Sequence, residues 1–175
     1  MLTIYTIGHS TRPIAEFIAI VESFRIELVC DIRTIPKSRR NPQFAGDALR
    51  DALAERGIEY AHLKALGGLR HARKDSLNGA WRNDSFRGYA DYMQTAEFAE
   101  AIRDLIARAT QRRTAIMCAE AVPWRCHRSL VGDALSVRGV NVEDITSETR
   151  AQAHRLTPWA KVDGVEISYP GIIPS

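Results

Sequence analysis

Cysteine is scarce and odd in number here: Cys30, Cys118 and Cys126 are the only thiols in 175 residues. Three thiols do not make a disulfide framework, so a reducing compartment, the cytoplasm, is the expectation. No apolar run approaches the roughly 20 residues that cross a bilayer. Met1-Leu2-Thr3-Ile4-Tyr5 lacks the basic and apolar regions of a secretory signal, and no membrane partner is expected. Seven prolines and eleven glycines are too few for a collagenous or low-complexity chain. Charge of one sign is lacking as well: 24 Lys and Arg against 21 Asp and Glu leave +3. That balance permits an anionic ligand without demanding one, and the placement of the charges must decide.

Hydrophobic residues, 45% of the chain, are present in short β-branched runs that alternate with amphipathic stretches. Residues 2–8, 27–32, 58–63, 114–118 and 140–145 read as strands. Between them, Pro13 opens a helix carrying Ile14, Phe17, Ile18, Val21 and Phe24 at helical spacing. Further helices are expected over 46–56, ended by Gly57, and around 127–138, stopped by Gly139. The longest helix should bury Phe98, Ile102, Leu105, Ile106 and Ala109. Residues 114–118 are continuously apolar and belong at the sheet centre. Residues 64–87 read as a long polar loop, and 151–175 as a tail packed on the domain over 1–150. The prediction is a single α/β domain, with a mainly parallel sheet of about five strands and helices on both faces.

Ligands of an open parallel sheet bind at the strand carboxyl ends. Behind the first predicted strand come His9, Ser10 and Arg12, and behind the second Asp31, Arg33, Lys37, Ser38, Arg39 and Arg40. Behind the third come Gly67, Gly68, Arg70, His71, Arg73 and Lys74. Behind the fourth come Cys118, Glu120, Arg125, Cys126, His127, Arg128 and Ser129. The small positive surplus is therefore gathered on one rim. Each piece also has a purely structural reading. Ser10 and Thr11 can cap a helix, Asp31 can pair with Arg33, and Lys37 to Arg40 can be a solvated face. Gly67-Gly68 suits a tight turn. Tyr89, Tyr92 and Met93 suit a core or interface, and Cys30 reads as packing.

The Cys118 to Ser129 stretch is the strongest signal. A thiol at a strand end, facing a helix start and arginines, meets conditions that lower its pKa and hold an oxyanion. Glu120 adds a carboxylate for proton transfer, or else joins the arginines in an ion-pair cluster. Six residues separate Cys118 from Arg125, one more than in a thiol-phosphatase loop, and Pro123 removes a donor. A metal site drawn from Cys118, Cys126, His127 and His9 or Glu120 has suitable ligand types, but its spacing fits no common zinc pattern.

Six successive motifs resemble one family: Tyr5-Thr6-Ile7-Gly8-His9-Ser10-Thr11; Asp31-Ile32-Arg33 with Pro36, Ser38 and Arg39; Leu66-Gly67-Gly68-Leu69-Arg70; Phe86-Arg87-Gly88-Tyr89-Ala90-Asp91-Tyr92-Met93; Met117-Cys118-Ala119-Glu120; and Cys126-His127-Arg128-Ser129. The series is similar to domain-of-unknown-function family number 488, found largely in bacteria and archaea. His154-Arg155-Leu156-Thr157 and Tyr169-Pro170 resemble its tail, which would bring His154 toward the rim. The resemblance implies a single α/β domain and a functional cluster of His9, Asp31, Arg33, Cys118, Glu120, Cys126, His127 and Arg128. It implies no particular reaction.

The leading expectation is an enzyme, a thiol-dependent hydrolase or transferase, acting on a small phosphorylated or otherwise anionic substrate. Cys118, Glu120, Cys126, His127, His9 and Asp31 are its candidate catalytic residues. Ser10, Arg12, Arg33, Ser38, Arg39, Arg70, Arg125, Arg128 and His154 are its candidate binding residues, and no cofactor is called for. A second expectation is nucleic-acid binding through the basic loops with Trp81, Arg82 and Arg87, although no known DNA- or RNA-binding motif is present. The third is a Cys/His metal protein. Residues 64–87 are further expected to act as a lid, with Gly67, Gly68 and Gly79 as hinges and Trp81 as the cover.

Overall fold

β-branched segments that are apolar on both sides need cover on both faces, and that need organises the chain. The computed structural model describes residues 1–171. Five strands, β1 (Thr3–Gly8), β2 (Leu28–Asp31), β3 (Glu59–His62), β4 (Thr114–Cys118) and β5 (Asn141–Ile145), run parallel. A short sixth, β6 (Ala151–Ala153), pairs antiparallel with β5. The order across the sheet is β3-β2-β4-β1-β5-β6, so the continuously apolar β4 does lie between two parallel neighbours. The α/β architecture is as the sequence predicts.

Alternation along each strand divides the core in two. Tyr5, Ile7, Val29, Ala115 and Met117 meet Phe17, Ile20 and Val21 of α1 (Ile14–Ser23) and Leu49 and Leu53 of α2 (Gly46–Ala54). On the other face, Ile4, Cys30, Ile116, Cys118 and Val142 meet α3 (Asp84–Tyr92), α4 (Ala96–Gln111) and α5 (Arg128–Ser136). The connection through α1 leaves β1 on one face, whereas the connection through α5 leaves β4 on the other. These adjacent strands therefore flank a topological switch point, where a crevice opens at the carboxyl edge. Gly57 and Gly139 stop α2 and α5 with φ of 72° and 80°.

Several expectations change. The 64–87 stretch is not all loop: Asn83 caps α3 by accepting from Ser85 and Phe86 N–H, and Thr95 caps α4 separately. The longest helix among the described residues is α4, which buries Phe98, Ile102, Leu105 and Ala109 as expected. Residues 73–78 are held down by Asp91, which accepts from Arg73 N–H, Ser76 Oγ and Asn78 Nδ2. Trp81 packs against Phe86, Trp159 and Tyr169 rather than covering the rim. The tail supplies β6 and a hairpin of β7 (Lys161–Asp163) and β8 (Glu166–Ser168), and residues 172–175 of that stretch lie outside the described residues. Finally, Ser10 and Thr11 do not cap α1, whose N-cap position is Pro13 with no side-chain hydrogen bond.

One contact seats the crevice. His9 and Ser10 N–H donate to the Cys118 and Ala119 carbonyls, both at 2.9 Å, laying the loop after β4 across the end of β1. A Cβ on Gly8 would sit 1.9 Å from the Glu120 carbonyl oxygen, so only glycine allows the approach. Gly8→Ala is expected to destabilise the fold by at least about 2 kcal/mol, the scale of overpacking. Urea unfolding monitored by circular dichroism measures it, and a change within error of wild type would contradict the seating.

Candidate functional site: a buried arginine beneath two thiols

The face of the sheet under α5 carries polar groups where apolar ones are the rule. Strand register sets Thr6 beside Asp144 and Gly8 beside Cys118, and the side chain that descends on them from the first turn of α5 is Arg128. Its guanidinium has no exposed surface. Nε donates to Cys118 Sγ (3.2 Å), Nη1 to Thr6 Oγ1 (2.7 Å), and Nη2 to the Glu120 and Ala121 carbonyls (3.0 and 3.3 Å). None of the ion pairs among the described residues includes Arg128. Its nearest route to a carboxylate runs through Thr6, whose hydroxyl donates to Asp144.

That leaves a buried cation directed at a sulfur. Burial opposes ionisation of Cys118, but the neighbouring Cys126 thiol, the charge on Arg128 and a backbone hydrogen bond at Glu120 outweigh it, so the pKa falls below its ordinary value. The Cys126 pKa moves the opposite way, raised by its Cys118 neighbour and by burial. Cys126 Sγ also accepts from Arg128 N–H (3.4 Å) and lies 3.3 Å from His127 Nδ1. The His127 pKa is pushed down to about 4, chiefly by burial. Neutral His127 donates from Nε2 to the Ile32 carbonyl (2.9 Å), which leaves Nδ1 as the acceptor facing Cys126. Gly68 makes room for this ring, since a Cβ there would lie 2.6 Å from Nδ1.

The groove above the thiols holds about 430 Å³ and is lined by Arg33, Lys37, Cys118, Glu120, Arg125, Cys126 and His127 among others. Its walls include Phe86 and two exposed apolar side chains, Ile35 (57%) and Leu69 (72%). A larger hollow of about 580 Å³ lies elsewhere, between β7–β8 and the α3–α4 corner. It contains neither thiol. Arg33 reaches the groove with its fork already committed: Nε and Nη2 hold Asp31 (2.9 and 2.7 Å), Nη2 also holds the Phe44 carbonyl, and Nη1 meets His9 Nε2 (3.4 Å). Asp31 is fully buried and also accepts from Tyr60 Oη (2.6 Å).

The residues singled out from sequence thus divide. Cys118, Glu120, Cys126, His127, Arg33 and Arg125 line one groove, with Arg128 beneath it. Asp31 and His9 sit behind Arg33, and the buried His9 ring is stacked on Phe44 at 4.3 Å. Ser10 bends there at φ 52°. Arg12 is bound to the Gly8 and Thr146 carbonyls. Ser38 accepts from Asn41 N–H, and Arg39 is exposed outside the groove lining. Arg70 lies over the Tyr92 ring at 3.6 Å and donates to the Gly67 and Ala65 carbonyls. His154 is not at the groove. Its Nε2 binds Asp133 (2.8 Å), its Nδ1 lies 3.7 Å from Asp144, and it packs on Gly132.

Four polar residues were not among the candidate site residues: Thr6 and Tyr169, which stood only in motifs, and Asp133 and Asp144. Together they extend the arginine site into a chain of alternating charge. Tyr169 Oη donates to Asp133 Oδ2 (2.7 Å), His154 bridges Asp133 and Asp144, and Thr6 links Asp144 to Arg128. An acidic residue inside a parallel strand, as at Asp144, was the available signal. Among the described residues, no group of three His, Cys, Asp or Glu side chains is placed to hold a metal ion, and no helix is long and apolar enough to cross a membrane.

A family model described as "Domain of unknown function DUF488" matches residues 13–135. That span holds both thiols and Arg128 but leaves β1 and everything beyond α5 outside. No curated protein and no solved structure matches the chain.

Titration of His154 gives a measurable consequence. Burial disfavours its charged form, but the hydrogen bonds and charges of Asp133 and Asp144 prevail and lift it from 6.5 to about 9. A raised folded pKa contributes stability that is complete below pH 6.5 and lost as pH climbs through 9. Thr157 N–H and Tyr169 Oη face the same carboxylates and are uncharged across that window. Wild type minus His154→Gln, compared by urea unfolding, should therefore shrink from pH 6.5 to 9. A constant difference would refute the charged histidine.

Proposed function

The chain belongs to the DUF488 family of domains of unknown function, and from that premise we propose that it is a thiol-dependent transferase or hydrolase acting on a small anionic substrate in the groove above Cys118. The observation that carries the reading is the Nε–Sγ contact of 3.2 Å between a fully buried Arg128 and a cysteine at a strand end. An unpaired buried cation is costly, and a thiolate relieves that cost where a thiol does not. Arg128 and Cys118 therefore favour the ionised nucleophile together.

Lys37 and Arg125 are the exposed cations lining the groove, and their charges suit an incoming phosphate or carboxylate. Arg33 contributes positive potential from behind, its fork being held by Asp31. In the reaction, Cys118 Sγ attacks the electrophilic atom of the bound anion and forms a covalent thio-adduct. Glu120 is exposed and borders both groove and solvent, which suits it to move the proton of the leaving group and of the water that follows. The basic loops favour nucleic acid less. Arg70 is clasped by its own loop, Arg73 and Arg87 are paired with Asp75 and Asp84, and Trp81 is packed away from any base.

Alkylation with iodoacetamide tests the nucleophile without a known substrate. The rate at Cys118, followed by peptide mass, should have its pH midpoint below the ordinary thiol value of about 8.5. Inorganic phosphate should slow it, and the double variant Lys37→Ala/Arg125→Ala should lose that protection while keeping the midpoint. A wild-type midpoint at or above the ordinary value would overturn the proposal.

A further inference from the structure

The thiolate just assigned has a second sulfur against it, and a nucleophile for anions does not need one. Both sulfurs contact the same residue: Arg128 Nε reaches Cys118 Sγ at 3.2 Å and Arg128 N–H reaches Cys126 Sγ at 3.4 Å. Both border the same groove, and each thiol bears on the other's ionisation. The intervening 119–125 loop is largely exposed and has one short turn, Pro123–Arg125, as its regular structure. Cys30 stands apart, fully buried within β2 and away from the groove, with burial pushing its pKa up to about 12.

We infer that Cys118 and Cys126 form a peroxide-reducing pair, in which a hydroperoxide oxidises Cys118 and Cys126 closes the disulfide. This deepens the reading of the same site and rests on its thiolate. In the first step Cys118 Sγ attacks the outer oxygen of ROOH. The S–O bond forms, the O–O bond breaks, and RO⁻ takes up, through solvent, the proton that Cys118 released on ionising, giving Cys118–SOH and ROH. In the second step Cys126 Sγ attacks the sulfenic sulfur. The S–S bond forms, the S–O bond breaks, and the departing hydroxide takes up the Cys126 proton as water. Overall two thiols and ROOH become a disulfide, ROH and water.

The two thiols divide this labour as the chemistry requires. Ionised Cys118 is the nucleophile toward the peroxide. Cys126, held protonated, does not compete for it and is in place to resolve the sulfenic acid. His127 Nδ1 is the acceptor beside Cys126, 3.3 Å from its sulfur, and can relay its proton to the departing hydroxide as the disulfide forms. Cys118 itself has little exposure, so the peroxide must enter by the groove. Ile35, Leu69 and Phe86 on its walls suit an organic hydroperoxide with an apolar R group as well as hydrogen peroxide. A low-molecular-weight thiol supplied from solution would reduce the disulfide and complete the cycle.

One equivalent of cumene hydroperoxide, added to the fully reduced chain, tests the pair by intact mass and non-reducing peptide mapping. The expected result is loss of two hydrogens and one cross-linked peptide joining Cys118 to Cys126, with Cys30 still alkylatable and with reversal by dithiothreitol. Cys126→Ser should stop at a Cys118 sulfenic acid that dimedone captures, and Cys118→Ser should leave the peroxide unconsumed. Circular dichroism confirms that each variant is folded. Fast alkylation of Cys118 with no cross-link after peroxide would overturn the pair and leave the thiolate standing. Slow alkylation with its midpoint at the ordinary value would overturn both.

Discussion

Arg128 carries a permanent charge at a position with no contact with water, and burying an ion of that kind costs several kcal/mol unless its donors are met. The fold meets them with whatever the strand ends provide: a threonine hydroxyl from β1, a sulfur from β4 and two carbonyls from the loop that β4 feeds. No carboxylate pairs with it directly among the described residues. The site's chemistry follows from that choice of partners. A carboxylate in place of Cys118 would give a structural ion pair, whereas a thiol gives a group whose ionisation the cation favours.

The same requirement shapes the surroundings. The loop after β4 must turn back over β1 to present the Glu120 and Ala121 carbonyls, and the missing side chain at Gly8 is what lets it come so close. The Thr6 hydroxyl has two duties, accepting from Arg128 and donating to Asp144. Asp144 in turn lies beside His154, which lies beside Asp133, which also accepts from Tyr169. The tail after β5 therefore does electrostatic work inside the domain. Tyr169 is fully buried, and its backbone joins Asn78 and Ala80. The 64–87 stretch and the tail thus brace one another on the α3–α5 face, which is why Trp81 packs there and does not overhang the groove.

The resulting asymmetry between the thiols is tertiary in origin. Cys118 faces the guanidinium side chain of Arg128, whereas Cys126 faces its backbone N–H and the neutral side of His127. His127 is neutral because burial outweighs its hydrogen bond to the Ile32 carbonyl, which by itself favours the charged form. One imidazole thereby ties β2 to the helix that delivers Arg128 and sets the environment of the second sulfur.

Periodicity and punctuation were enough to read the alternating strands and helices, the central place of β4, the stops at Gly57 and Gly139 and the rim at the strand carboxyl ends, because these are local consequences of backbone geometry and burial. Cysteine, histidine and arginine crowded into 118–128 were legible for the same reason: they are near in sequence and stay near in space. Long-range pairing decided the rest. Nothing local announces that Thr6, Asp144 and His154 share one face with Arg128, since that depends on parallel register between strands more than a hundred residues apart and on an antiparallel strand from the tail. Nor could residue type separate Arg128, buried under the thiols, from Arg12 and Arg70, which are spent on backbone carbonyls. Composition and pattern determined the α/β layering and the edge where the candidate residues gather. Which cation meets which sulfur was settled only by packing, because desolvation and hydrogen-bond geometry exist only once the chain has closed around them.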